Sequence, residues 1–300
     1  MAKKKEINYK RRRELFLIGI FTLAIIIGVS ITIILVNHYS PTRNNVRFEY
    51  DASGKYYTVE KMVKNTPNVN IPSKVNGKEV RTIGAEAFSG ATYLKSINIP
   101  QSVIRIEERA FQECTNLESI ALPDSIIYLG DYAFYNCASL ESINISTSLS
   151  YIGVYAFYGT KFYTTSKNWT DDMLYLGSYL IKSTTKSDGI IEIKKGTKIL
   201  SVSSLASLNI TGIVVYPDLE RILLNAFSGT SHLSAVYFKG SLKEYSSFNP
   251  SVDTTNAGNN MWLNAIKDET LYFYSEVDPN DSTHNYWHYV DGEVKVWSHE

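Results

Sequence analysis

The residues with the clearest chemical potential are few. Cys114 and Cys137 lie 23 residues apart, a spacing shared, as shown below, by a whole set of columns. If those columns stack, the two Cα atoms come within about 5 Å, inside disulfide range. The same column carries Ala91, Thr160 and Thr230, which reads as a slot for small buried side chains; pairing stays open, and two thiols are too few for a zinc site. His284 and His288 have the i, i+4 spacing of a helical metal pair, but Asn285 stands where a metalloprotease needs glutamate. The flanking Tyr286, Trp287 and Tyr289 argue instead for a strand closing a core. Asp278, Asn280 and Ser282 open like a calcium loop, yet Thr283 replaces the required glycine and Tyr289 the closing glutamate, so a solvated turn is expected. Nucleophile elbow, phosphate loop and dinucleotide fingerprint are absent, and the carboxylates are scattered. The sequons beginning at Asn144, Asn168 and Asn209 are read as chance. These residues predict no catalytic, metal or cofactor site.

The positioning elements begin with a charge asymmetry. The net charge is zero, but residues 1–14 hold seven Lys/Arg against two Glu. Because the excess is confined to one end, nucleic acid is not an expected partner. From Leu15 to Val36 no residue is charged. As a helix this run is about 33 Å long, enough for one bilayer crossing, with insertion favoured by about 5 to 10 kcal/mol. The positive-inside rule puts the basic end in the cytoplasm and the remainder outside. Gly28-Val29-Ser30 offers a signal-peptidase alternative, weakened by the apolar residues that follow. Residues 37–47, polar and containing Pro41, read as a tether.

Beyond it the chain repeats. Ala-Phe recurs at 87–88, 110–111, 133–134 and 156–157, every 23 residues. Leu94/Leu117/Leu140, Ile97/Ile120/Ile143, Ile99/Leu122/Ile145, Val103/Ile126/Leu149 and Ile106/Leu129/Ile152 keep step. The alternation in Leu-x-x-Ile-x-Ile predicts a short strand with one buried face; a second short strand and a tight helical turn around Ala-Phe complete a unit. A lone unit cannot bury enough to offset its ordering cost, so the units must stack cooperatively.

The run "IPQSVIRIEERAFQECTNLESIALPDSIIYLGDYAFYNCASLESINI" resembles the BspA-type extracellular leucine-rich repeats of bacterial and protist surfaces, with "YLGSYLIK" and "IEIKKGTKIL" similar to a longer inserted repeat. Phe157 to Leu205 spans two units plus two residues, and Ser204-Leu205 replaces Ala-Phe, which leaves that register open. "LYFYSEVDP" through "NYWHYVDGEVKVW" is similar to the closing segment of bacterial members, whereas residues 246–260 match nothing. The resemblance implies an α/β solenoid, a right-handed superhelix of parallel strands over 48–240 including an N-terminal cap, closed by a C-terminal segment, 241–300; a parallel β-helix is the alternative. It implies a bacterial envelope and a non-enzymatic role in protein recognition or adhesion, the partner a protein on host or neighbouring cells or in the protein's own envelope.

Residues between the buried strand positions should form one exposed ladder: Lys95, Ser96 and Asn98; Glu118, Ser119 and Ala121; Glu141, Ser142 and Asn144. This is the expected binding surface. A carbohydrate-binding module would instead use exposed aromatics such as Trp169 or Trp262, and a hydrolase scaffold would need a clustered acid pair. Oligomeric state is not legible.

Overall fold

The computed structural model describes residues 41–255, 257–266 and 270–298. The basic segment 1–14 and the apolar segment 15–36 lie outside the described residues, among which no helix is long and apolar enough to cross a membrane.

Two stacked arrays of parallel strands meet at a break near residues 160–190. In the first, Tyr57–Met62, Lys78–Ile83, Arg105–Ile106, Tyr128–Leu129 and Tyr151–Ile152 form one sheet in parallel. Its register, Ile106 beside Leu129 beside Ile152, is the 23-residue repeat made physical. At its start Thr42–Arg43, Val46–Tyr50 and Tyr57–Met62 pair in antiparallel, so residues 42–47, expected as tether, belong to the capping sheet. The other strand of each unit forms two parallel pairs rather than one unbroken sheet: Asn68–Asn70 with Ser96–Asn98, and Ser119–Ala121 with Ser142–Asn144.

The Ala-Phe segment departs from expectation. It is a run of tight turns bounded by two left-handed residues per coil, Glu86, Arg109, Tyr132 and Tyr155 on one side and Gly90, Glu113, Asn136 and Gly159 on the other. Its N–H groups point along the array: Glu86, Phe88 and Gly90 donate to the carbonyls of Glu108, Ala110 and Gln112 in the next coil, at 3.0, 2.8 and 2.7 Å. Donors committed to a neighbouring coil cannot also close i to i−4 bonds, so no helix forms there. Among the described residues the α-helices are Lys161–Thr164, Leu242–Tyr245 and Asn260–Ala265; of these the last alone falls at the Ala-Phe position of a coil, and the four coils that carry Ala-Phe lack the helical half of the expected α/β unit.

The phenyl rings of Phe88, Phe111, Phe134 and Phe157 stack at 5.1, 5.0 and 5.8 Å, within 5° of parallel, in a fully buried column. Cys114 and Cys137 are buried free thiols that donate to the Phe88 and Phe111 carbonyls at 3.1 and 3.0 Å. The Thr230 hydroxyl does the same to Leu205 at 2.7 Å. At Cys114, Cys137 and Thr230 the slot thus holds small donors that bond one coil back, whereas the Thr160 hydroxyl donates to Phe157 of its own coil at 2.7 Å. With Cys114 beside it and little water near, the Cys137 thiol is pushed far up in pKa and kept protonated.

In the second array the hairpin Met173–Leu176/Tyr179–Ser183 leads into parallel strands Ile199–Leu200, Arg221–Ile222 and Ser251–Val252. Ile190–Glu192, Gly212–Val215, Ala235–Phe238, Leu271–Tyr274 and Asn285–Val290 form its companion sheet, closed by antiparallel Glu293–Val296. The described strands of the segment expected as a C-terminal cap therefore extend both sheets while ending them. Leu205 occupies the phenyl column, since its N–H donates to Ala226 at 2.9 Å, and Trp262 continues that column, stacked on Phe227 at 5.6 Å. There the Asn259 side chain stands in for the next coil: its carbonyl oxygen accepts from the Phe227 N–H at 3.3 Å, and its amide donates to Leu223 and Asp253.

Candidate functional site

Strand alternation sends Ile97, Ile120 and Ile143 inward and leaves the expected ladder residues outward; Lys95, Ser96, Asn98, Glu118, Ser119, Ala121, Glu141, Ser142 and Asn144 are all exposed. Register pairs Ser119 with Ser142 and Ala121 with Asn144. The structure lengthens the ladder by one rung: Ser96 donates to Asn68 Oδ1 at 2.7 Å and Asn98 to Asn70 Oδ1 at 2.6 Å. The side chains of Ser119, Ser142 and Asn144 make no hydrogen bond among the described residues. Glu141 is already engaged: Lys161 at 2.7 Å and Lys167 at 3.4 Å hold its carboxyl below the usual range. The ladder is consequently more neutral and amide-rich than a row of free carboxylates.

The equivalent face of the second array is covered in part, with a cleft of about 480 Å³ left between the opening strand and residues 289–294. Its sheet curls until the last strands meet the first, and Trp287, fully buried, packs on Tyr237 and Tyr274 above Val214 and Ala235. Glu192 on the opening strand accepts from the Tyr289 and Tyr216 hydroxyls and from Lys239 Nζ at 2.9 Å. Burial alone would raise the Glu192 carboxyl, but these three donors outweigh it and lower its pKa.

Sequence reading missed an aromatic cluster beside the break. Tyr132, Tyr135, Tyr155, Tyr158, Tyr163 and Trp169 touch in succession, with ring centroids 5.1 to 5.7 Å apart. Tyr155 and Tyr158 are 51% and 41% exposed, an unusual amount of solvent-facing aromatic surface at one place. The signal was present: Tyr132/Tyr155 and Tyr135/Tyr158 keep the 23-residue step. Tyr155 and Tyr158 border a cleft of about 250 Å³ between the last coil of the first array and Val202, Ser203, Ala206 and Ser207 of the second.

Neither expected sugar-stacking tryptophan is free to act. Trp262 is fully buried, because it fills the phenyl column, and Trp169 is half-buried with its indole N–H donated to the Tyr163 carbonyl at 2.7 Å. His284 contacts Asp281 and His288 lies against Trp297, separate settings at the strand Asn285–Val290. Asn280 N–H closes an exposed turn on Asp278, and among the described residues no His, Cys, Asp or Glu groups gather as metal ligands.

Six copies of the BspA type leucine rich repeat region match residues 61–188 and 164–261. Among solved structures, a leucine-rich repeat protein from Bacteroides capillosus is 25% identical, covering 42% of this chain and 96% of its own, at a TM-score of 0.38. The T. pallidum leucine rich repeat protein is 16% identical over 65% and 80%, TM-score 0.36. The pneumococcal vaccine antigen PcpA is 17% identical over 78% and 93%, TM-score 0.29. No curated protein matches. With the repeat matched across most of the chain, and the 23-residue register visible in its strands, thiol slot and phenyl column, the protein belongs to the BspA-type leucine-rich repeat family.

Proposed function

We propose that this protein displays its repeat array outside a cell as a non-enzymatic recognition module, held by the apolar segment 15–36, and that it binds a protein surface through the polar ladder of the first array. One observation carries the reading: Ser119, Ser142 and Asn144, exposed and in register, keep their side-chain donors and acceptors unspent beside Lys95 and Glu118. Such groups on a rigid, extended face suit a partner whose own polar groups must be matched. Adhesion to host or neighbouring cells, or attachment to another envelope component, follows from that display.

The test is binding of the full chain in detergent micelles to intact bacterial and host-cell surfaces, before and after those surfaces are treated with protease. Binding should vanish after protease. The double variant Ser119→Arg/Ser142→Arg should weaken it about tenfold or more with an unchanged unfolding midpoint. Full binding by that variant, or to protease-stripped cells, would remove the ladder from the reading.

A further inference from the structure

The break in the array creates a place where donors normally consumed by stacking are left over. In each preceding coil the N–H groups around Ala-Phe are taken by the next coil: Tyr132 donates to Val154 at 2.9 Å, Phe134 to Ala156 at 2.8 Å and Asn136 to Tyr158 at 2.8 Å. The corresponding donors of the last coil, on Tyr155, Phe157 and Gly159, have no partner among the described residues, because the hairpin Met173–Leu176/Tyr179–Ser183 intervenes before the second array begins. The acceptors on the far side are taken by that hairpin: Ser183 N–H bonds the Ser204 carbonyl at 2.7 Å, and Lys182 Nζ bonds the Ser203 carbonyl at 3.2 Å. Tyr155, Phe157 and Lys182 all line the cleft of about 250 Å³. No Asp or Glu borders this space, and Lys182 has no carboxylate partner among the described residues. Burial holds its pKa down and is the only cause of that shift, so no neighbouring anion stabilises the ammonium.

Backbone N–H groups at a left-handed turn, bordering the same cleft as an uncompensated ammonium, form a setting for an oxyanion. The remaining surface limits what that oxyanion is attached to. The volume is below the range of drug-sized sites, so it admits a single ring rather than an extended chain. The open rim offers the exposed tyrosines Tyr155 and Tyr158 for the C–H face of a ring, and Ser203 and Ser207 for its hydroxyls.

We propose that the cleft between the two arrays binds a carboxylated sugar ring, its carboxylate held by the Tyr155 and Phe157 N–H groups and the Lys182 ammonium, its ring lying against Tyr155 and Tyr158. This site is separate from the polar ladder, and each stands or falls without the other.

Titration of the full chain in detergent with sodium glucuronate, followed by calorimetry, tests it, with glucose, acetate and inorganic phosphate as comparators. Glucuronate should bind at millimolar concentration or below, with glucose and acetate about tenfold or more weaker, since each lacks one half of the recognised chemistry. Lys182→Met, which keeps the stem and removes the charge, should lose about tenfold or more of the affinity, and Lys182→Arg should retain most of it. An unchanged unfolding midpoint in Lys182→Met separates loss of the ligand contact from loss of fold. Absence of glucuronate binding, equal binding of glucose, tighter binding of phosphate, or full affinity in a folded Lys182→Met chain would each overturn the proposal.

Discussion

The end of the array rests on one side chain, which makes Asn259→Ala the most informative substitution. Asn259 is 1% exposed and serves three backbone groups: the Phe227 N–H at 3.3 Å, the Leu223 carbonyl at 2.9 Å and the Asp253 carbonyl at 2.7 Å. Truncation strands the buried Phe227 N–H, at about 1 to 3 kcal/mol. The Leu223 carbonyl keeps its bond from the Ala226 N–H at 3.2 Å, and the Asp253 carbonyl is near enough to solvent to be rehydrated, so these add about 1 kcal/mol together. The expected loss is therefore about 2 to 4 kcal/mol, read by guanidinium unfolding with the fluorescence of Trp262, which stacks on Phe227. Asn259→Asp sharpens the test. It keeps the acceptor but sets a carboxylate against two carbonyls, so burial and repulsion raise its folded pKa above the unfolded value. Its stability should be greatest below the ordinary carboxylate pKa and fall as pH rises through the raised one. A loss under about 1 kcal/mol for Asn259→Ala, or no pH dependence for Asn259→Asp, would refute the view that a side-chain amide substitutes here for the next coil.

Phe134→Ala, in the middle of the stacked phenyl column, should cost about 3 to 5 kcal/mol in the same assay, and Phe134→Leu about 1 to 2; equal costs would deny the column its packing role. Both thiols should resist maleimide in the folded chain and react fully after unfolding without reductant, whereas recovery of fewer than both would reveal a disulfide. Cys137→Ser should be tolerated better than Cys137→Val, because only the former can donate to the Phe111 carbonyl. Glu192, with its folded pKa depressed, stabilises the C-terminal hairpin above the unfolded carboxylate pKa and loses that contribution as pH falls through the folded one. At the alkaline end Tyr289, pushed up to about 12 by burial and by Glu192, protects the same contact fully below the ordinary tyrosine pKa and loses that contribution as pH rises from there through the raised value. Protease nicking near residues 285–296 should rise at both extremes and, in Glu192→Gln, at neutral pH; a flat pH profile would discount the contact.

The repeat was legible because stacking demands that the same side chain recur at the same place. Ala-Phe, the isoleucine strands and the outward ladder all follow from that, whereas the register at Ser204-Leu205, left open by the 48 residues from Phe157, is settled by the Leu205 N–H bond to Ala226. The turn was misread as helical because apolar spacing reports which residues are buried, not where N–H groups point. The hairpin at the break was hidden for a related reason: the alternation in "YLGSYLIK" is the same whether a strand runs parallel or antiparallel to its neighbour. Trp262 and Asn259 escaped because the end of the array replaces a backbone carbonyl with a side chain, and no repeat exists for a part used once. Tyr286, Trp287 and Tyr289 were legible as a strand closing a core, but that Trp287 covers Val214 and Tyr237 shows only in the structure.

The left-handed positions of the turn carry a different lesson. Glu86, Arg109, Tyr132, Tyr155, Ser203 and Asn225 share this backbone geometry, though each non-glycine residue there costs about 1 to 2 kcal/mol relative to an ordinary helical conformation. Acid, base, aromatic, hydroxyl and amide are all accepted, so the fold reads only the main chain at this column and ignores the side group. The array therefore carries a writable stripe, one residue per coil, on which chemistry can change from repeat to repeat without asking permission of the core.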